Sequence, residues 1–147
     1  MRRLLVLLLL VGCDAKPATP PSPAGHVHQA PHGGALVELG QEFAHVELVF
    51  ESATGKVTAY VLDGEVEKPF RLEQKELLLK GKTQSLALQA VGSPLTGEKP
   101  GDTSQFEGRS DGLKGATEFD AALVRIVVKG REFHDVPLRL QPLRKQD

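Results

Sequence analysis

Between Ala35 and Val61 the apolar residues recur at every second position, in short runs bounded by glycine-bearing turns. Such alternation puts one side-chain set on each face of an extended chain, whereas a helix repeats its apolar face about every 3.6 residues. Ala35, Val37 and Leu39 alternate with Leu36 and Glu38. Val46, Leu48 and Phe50 alternate with His45, Glu47 and Val49, and Val57, Ala59 and Val61 with Thr58, Tyr60 and Leu62. Turns at Gly40–Phe43 and Ser52–Gly55 set Val37 opposite Val46, Ala35 opposite Leu48, and Phe50, Leu48 and Val46 opposite Val57, Ala59 and Val61. A slip of one residue would turn every core position to the other face. The pattern predicts an antiparallel meander.

Further strands follow. Asp63-Gly64 is a two-residue hairpin signal leading into 65–72, where Pro69 marks an edge or a strand end. Glu76–Lys80 and Gln84–Ala90 flank Gly81-Lys82-Thr83, and Ala121–Lys129 and Glu132–Leu140 flank Gly130-Arg131. Between these hairpins, Gly92–Gln105 is a loop long enough to be mobile or functional, and Ser110–Thr117 is read as a single helical turn. No long segment has helical period. The expectation is an all-β domain over residues 32–142, as an immunoglobulin-like antiparallel β-sandwich of about seven to nine strands or, second, a small β-barrel. A chain of 147 residues with 40 % apolar content accommodates one such domain and an appendage. Residues 143–147 read as a disordered tail.

The appendage is N-terminal. Met1-Arg2-Arg3 is positive, Leu4–Val11 is unbroken apolar, and Gly12-Cys13 follows. The run is too short to cross a bilayer, which takes about 20 residues, but suits a secretory signal core. Leu10-Val11-Gly12-Cys13 resembles the bacterial lipobox, which implies a signal peptide over 1–12, a diacylglyceryl group on Cys13 and cleavage before it. Two or three acyl chains hold a protein firmly on a membrane without spanning it. Residues 13–31 hold five of the ten prolines and one large apolar residue, Val27, so they read as a semi-rigid spacer.

Five histidines are the evident ligand candidates: His26, His28, His32, His45 and His134. Imidazole suits zinc, copper and nickel, with Glu38 and Glu47 near at hand as carboxylates. The register sets Glu38 opposite His45, and His32 sits at the mouth of the same hairpin, freed by Gly33-Gly34, so a chelate of His32, His45 and His26 or His28 is sterically feasible. The competing reading leaves His26 and His28 solvated and His45 paired with Glu38. His134 shares parity with Val136, Leu138 and Leu140 and reads as a hydrogen-bonded rim residue. Leu36, Val49, Tyr60 and Leu62 point away from the proposed core, an apolar face that either lies under a later segment such as the 92–105 loop or docks a partner. Nucleophile elbows, phosphate loops and His-Glu-x-x-His are absent, and the acidic pairs read as solubilising charge, so no enzyme is expected. A net charge of −1 argues against a nucleic-acid partner.

The stretch Pro31-His32-Gly33-Gly34-Ala35-Leu36-Val37-Glu38-Leu39-Gly40, with His45-Val46-Glu47-Leu48-Val49 and Val57–Gly64, resembles small bacterial envelope lipoproteins that open on His-Gly-Gly. Its first third is also similar to the N-terminal β domain of periplasmic adaptor subunits of heavy-metal efflux pumps. The resemblance implies a β domain facing the periplasm from the inner or outer membrane, with a link to metal handling, and it carries over His32 as a ligand. Two features depart from it: Met1 is the only methionine, so the Met ligands of copper-specific relatives are missing, and the pattern of an adaptor's coiled-coil hairpin and lipoyl-like domain is not present. Two functions are expected. One is binding of a Cu or Zn ion by His26, His28, His32 and His45, as an accessory to metal handling or efflux. The other is a metal-free envelope module that docks a protein partner through Leu36, Val49, Tyr60 and Leu62.

Overall fold

The computed structural model describes residues 27–143. The expected signal peptide, Cys13, His26 and most of the expected spacer lie outside the described residues, as do residues 144–147. Eight antiparallel strands form one sheet: β1 Ala35–Leu39, β2 Ala44–Glu51, β3 Lys56–Asp63, β4 Glu76–Gly81, β5 Ser85–Ala90, β6 Gln105–Arg109, β7 Phe119–Val128 and β8 Arg131–Leu140. Their order is β1-β2-β3-β6-β5-β4-β7-β8. The all-β class holds. Of the two architectures the sequence admitted, the chain adopts the small barrel: one nearly closed sheet wraps one interior, where a sandwich would need two sheets.

The meander follows the alternation residue for residue. Ala35 faces Leu48, Val37 faces Val46, Leu48 faces Ala59 and Phe50 faces Val57. Val46, Phe50, Val57, Ala59, Val61, Leu79, Leu88 and Phe106 are fully buried in the shared core. The seam lies between β1 and β8, which no ladder joins among the described residues. One end of it is packed by the Phe43 and Phe133 rings, 6.1 Å apart, with the Arg131 guanidinium 4.3 Å from the Phe43 ring. At the other end the chain beyond β8 lies parallel to β2 just past the start of β1: Pro142 bridges Phe50, and the Leu143 N–H donates to the Phe50 carbonyl at 3.1 Å.

One expectation needs correction, and two others gain detail. Residues 65–72 are not a strand; Asp63 opens a wider loop instead. Its carboxylate accepts from the Glu67 and Lys68 amides, Val66 takes φ 61°, and Pro69 makes only an isolated bridge to Leu62. The 92–105 segment is a loop, as expected, and it carries bridges of its own, Ser93 to Glu98 and Lys99 to Asp102. Arg71 reaches Asp102 at 3.1 Å, and the Glu98 carboxylate accepts the Ser104 amide at 2.9 Å. Burial opposes the ionisation of Glu98, but the bonds from Ser104 and Thr96 and the charge of Arg71 outweigh it and lower its pKa. His134, finally, is an exposed outward residue. The ladder skips the Val124–Asp135 pair, where Asp135 takes φ 49°, and the buried set of β7 changes parity there, from Phe119 and Leu123 to Ile126 and Val128. His134 makes the hydrogen bond expected of it, to Glu132 at 3.0 Å, and Arg125 is the larger cause of the Glu132 pKa falling to about 2. The helical turn is present as a 3-10 turn at Asp111–Leu113, with Leu113 buried.

β4 and β7 pair only from Leu79–Leu123 to Gly81–Ala121 and then diverge. Gln74 fills the split: its side-chain carbonyl accepts the Val127 N–H at 2.6 Å. Gln74→Ala removes this acceptor from a half-buried amide, and a loss of about 1–3 kcal/mol is expected. Urea unfolding checks it; a change below about 0.5 kcal/mol would show that water replaces the amide without cost.

Candidate functional site

The residues just before β1 fold back over the outer face of the meander. Pro31 and His32 are the central residues of a turn closed by the Gly33 N–H on the Ala30 carbonyl at 3.2 Å, and Gly33 takes φ 73°. This strap, His28–Gly34, rests on two groups. The first is Glu47, fully buried at mid-strand. Its Oε1 accepts the backbone N–H of His32 at 2.7 Å and of Gly34 at 3.0 Å, and its Oε2 lies 2.7 Å from His32 Nδ1. The His32 ring stacks on Tyr60, with centroids 3.9 Å apart and planes at 11°. A buried carboxylate is costly unless it is hydrogen-bonded, and here the strap supplies three contacts, from the His32 and Gly34 amides and the His32 ring. The Tyr60 pKa is raised, by burial first and then by the Glu107 charge.

The second group is His45, 3 % exposed. The His28 ring meets it edge-on, with centroids 4.9 Å apart. Glu42, in the β1–β2 turn, brings a carboxylate oxygen to 3.8 Å from His28 Nε2. His45 Nδ1 lies 3.3 Å from the Asp63 carbonyl. A carbonyl only accepts, so Nδ1 carries the proton and a neutral ring keeps Nε2 as its lone-pair nitrogen. Glu38 does stand opposite His45 in the register, but its carboxylate takes the Glu42 amide at 2.8 Å.

Of the expected ligand set, then, His28 and His45 come together, His32 sits apart on Glu47 and Tyr60, and His26 lies outside the described residues. Among the described residues no three of His, Cys, Asp and Glu are grouped to hold a metal ion. The strap covers part of the apolar face: the His32 ring lies on Tyr60, and Gly34 on Val49. Val49 and Leu62 are buried, Leu36 and Tyr60 half-buried, and Gly34 is seated against Val49 and the Leu48 carbonyl.

Sequence reasoning named Glu47 only as a spare carboxylate; its role as the seat of the His-Gly-Gly turn was missed. The signal was there: a charge at mid-strand, flanked by Val46 and Leu48. Glu42 was missed because turn geometry brings it to His28, and Asp63 because it reaches His45 with its backbone carbonyl, from the end of β3. No helix among the described residues is long and apolar enough to cross a membrane. Compared with known proteins, the chain matches no family model, no curated protein and no solved structure.

Proposed function

We propose that the chain is a lipid-anchored protein of the bacterial cell envelope. Diacylglycerol on Cys13 holds it on the inner or outer membrane, and the barrel faces the periplasm. There it takes up a divalent transition-metal ion, Cu or Zn, as an accessory to metal handling or efflux. The observation that carries the metal reading is the His28–His45 pair: two imidazoles 4.9 Å apart, with the Glu42 carboxylate beside them. Two imidazoles are an N/N pair that suits Zn(II) and Cu(II), and the Glu42 carboxylate adds negative charge next to His28. The Asp63 carbonyl on His45 Nδ1 is the kind of outer contact that fixes the tautomer and orientation of a ligating histidine. A further ligand is available from His26, two residues before His28, or from water.

Calorimetric titration of the purified chain in detergent with Zn(II) and Cu(II) tests the reading. A dissociation constant below about 1 mM is expected, a binding free energy of more than about 4 kcal/mol. His28→Ala and His45→Ala should each weaken it at least about tenfold. Weaker binding, or binding unchanged in the double variant, overturns the metal reading.

A further inference from the structure

We propose that the strap is a metal-gated cover, with Glu47 as the positioning residue that couples its closure to metal affinity. The inference rests on the metal reading above and adds its regulation. His28 carries a proposed ligand, and four residues later His32 and Gly34 carry the latch. Both belong to one short segment, held to the barrel at two points: His28 on His45, and His32 and Gly34 on Glu47. An ion shared between His28 on the strap and His45 on β2 cross-links the segment to the barrel, so the loaded protein must keep the strap down. The empty protein relies on Glu47 and the Tyr60 stack. Closure and metal binding are therefore linked, and each strengthens the other by the same factor. Opening would return the fully buried Glu47 to water and uncover Val49, against which Gly34 is seated. The outer face of the meander thus has an occupant in the closed state, the chain's own strap, and metal load sets how long it stays.

The backbone amides of His32 and Gly34 report on the latch directly, because both donate to Glu47. Their hydrogen exchange is measured on the full chain in detergent micelles, with and without Zn(II). At a zinc concentration about a hundred times the dissociation constant, opening that requires release of the ion slows by up to about a hundredfold; slowing of at least about tenfold is expected at these two amides. His45→Ala should abolish the zinc effect. Glu47→Ala should expose both amides in the metal-free protein and weaken zinc binding about tenfold, although its hydrogen bonds go to His32 and Gly34 and not to His28 or His45. Glu47→Gln, which keeps an acceptor oxygen, should fall between. Zinc heat without slowing of the two amides, or a zinc affinity unchanged in Glu47→Ala, overturns the gating and leaves the metal reading standing. An absence of zinc heat overturns both.

Discussion

Phe106→Ala is expected to lower the free energy of unfolding by about 3–5 kcal/mol, the usual cost of deleting a fully buried ring. Phe106 has no exposed surface, and it faces Ala59 on one neighbouring strand and Ala90 on the other. Two small cross-strand neighbours leave a space that one large ring fills. Their methyl groups are also too short to lean into the hole once the ring is gone, so the cavity stays open. The position matters as much as the volume. β6 is the strand through which the meander β1–β3 joins the rest of the sheet, and its ladder with β5 consists of two residue pairs, Gln89–Glu107 and Ala90–Phe106. The deletion therefore falls on the narrowest joint of the barrel. Urea unfolding should show the midpoint falling with the slope unchanged. Leu95→Ala, at a side chain 98 % exposed, should stay within about 0.5 kcal/mol. A Phe106→Ala loss under about 1 kcal/mol would mean that the ring is not part of one continuous interior.

The same residues show what could be read from the chain. Strand registers from Ala35 to Val61 were legible because period-two burial leaves one pairing in which apolar meets apolar, and a slip costs every contact at once. The closure of the sheet was not. Barrel and sandwich use the same alternating strands, and the choice is made by local departures: the two-pair contact of β5 with β6, the divergence of β4 from β7 bridged by Gln74, and the parity change at Asp135. An aspartate at φ 49° inside a run of strand formers leaves almost no trace in composition, and it turned His134 outward. At the site, the histidines were visible as residue types, but their grouping depended on where the strap folds back. That is decided by Glu47, whose charge can be buried only if something outside the strand supplies donors.

Gly33 and Gly34 look equivalent in the sequence, yet substituting them should give different results. Gly33 takes φ 73°, and the nearest atom to an added Cβ would be Leu143 Cδ2 at 3.7 Å. Gly33→Ala should therefore cost only the left-handed strain of an L-residue, about 1–2 kcal/mol, and leave the strap seated. Gly34 has no such φ, but its Cβ would lie 2.5 Å from the Leu48 carbonyl oxygen and 2.9 Å from the carbonyl carbon. Leu48 is in the middle of β2, laddered on both sides to Ala35 and Ala59, and cannot give way. The strap has to lift instead. Lifting breaks the bonds to Glu47, each worth about 1.5–3 kcal/mol net for a charged acceptor, but the freed carboxylate regains water, so a loss of about 2–4 kcal/mol is expected. Tyr60 provides the readout that separates the two variants. It is the chain's one tyrosine and there is no tryptophan, so the ultraviolet absorbance of its phenolate follows a single site. Burial is the largest cause of its raised pKa, and the stacked His32 ring supplies part of that burial. Gly34→Ala should bring the Tyr60 titration down toward that of a free tyrosine, with the barrel amides still protected from exchange. Gly33→Ala should leave the titration where it is. A Gly34→Ala protein whose Tyr60 still titrates high would mean that β2 yields and the strap does not.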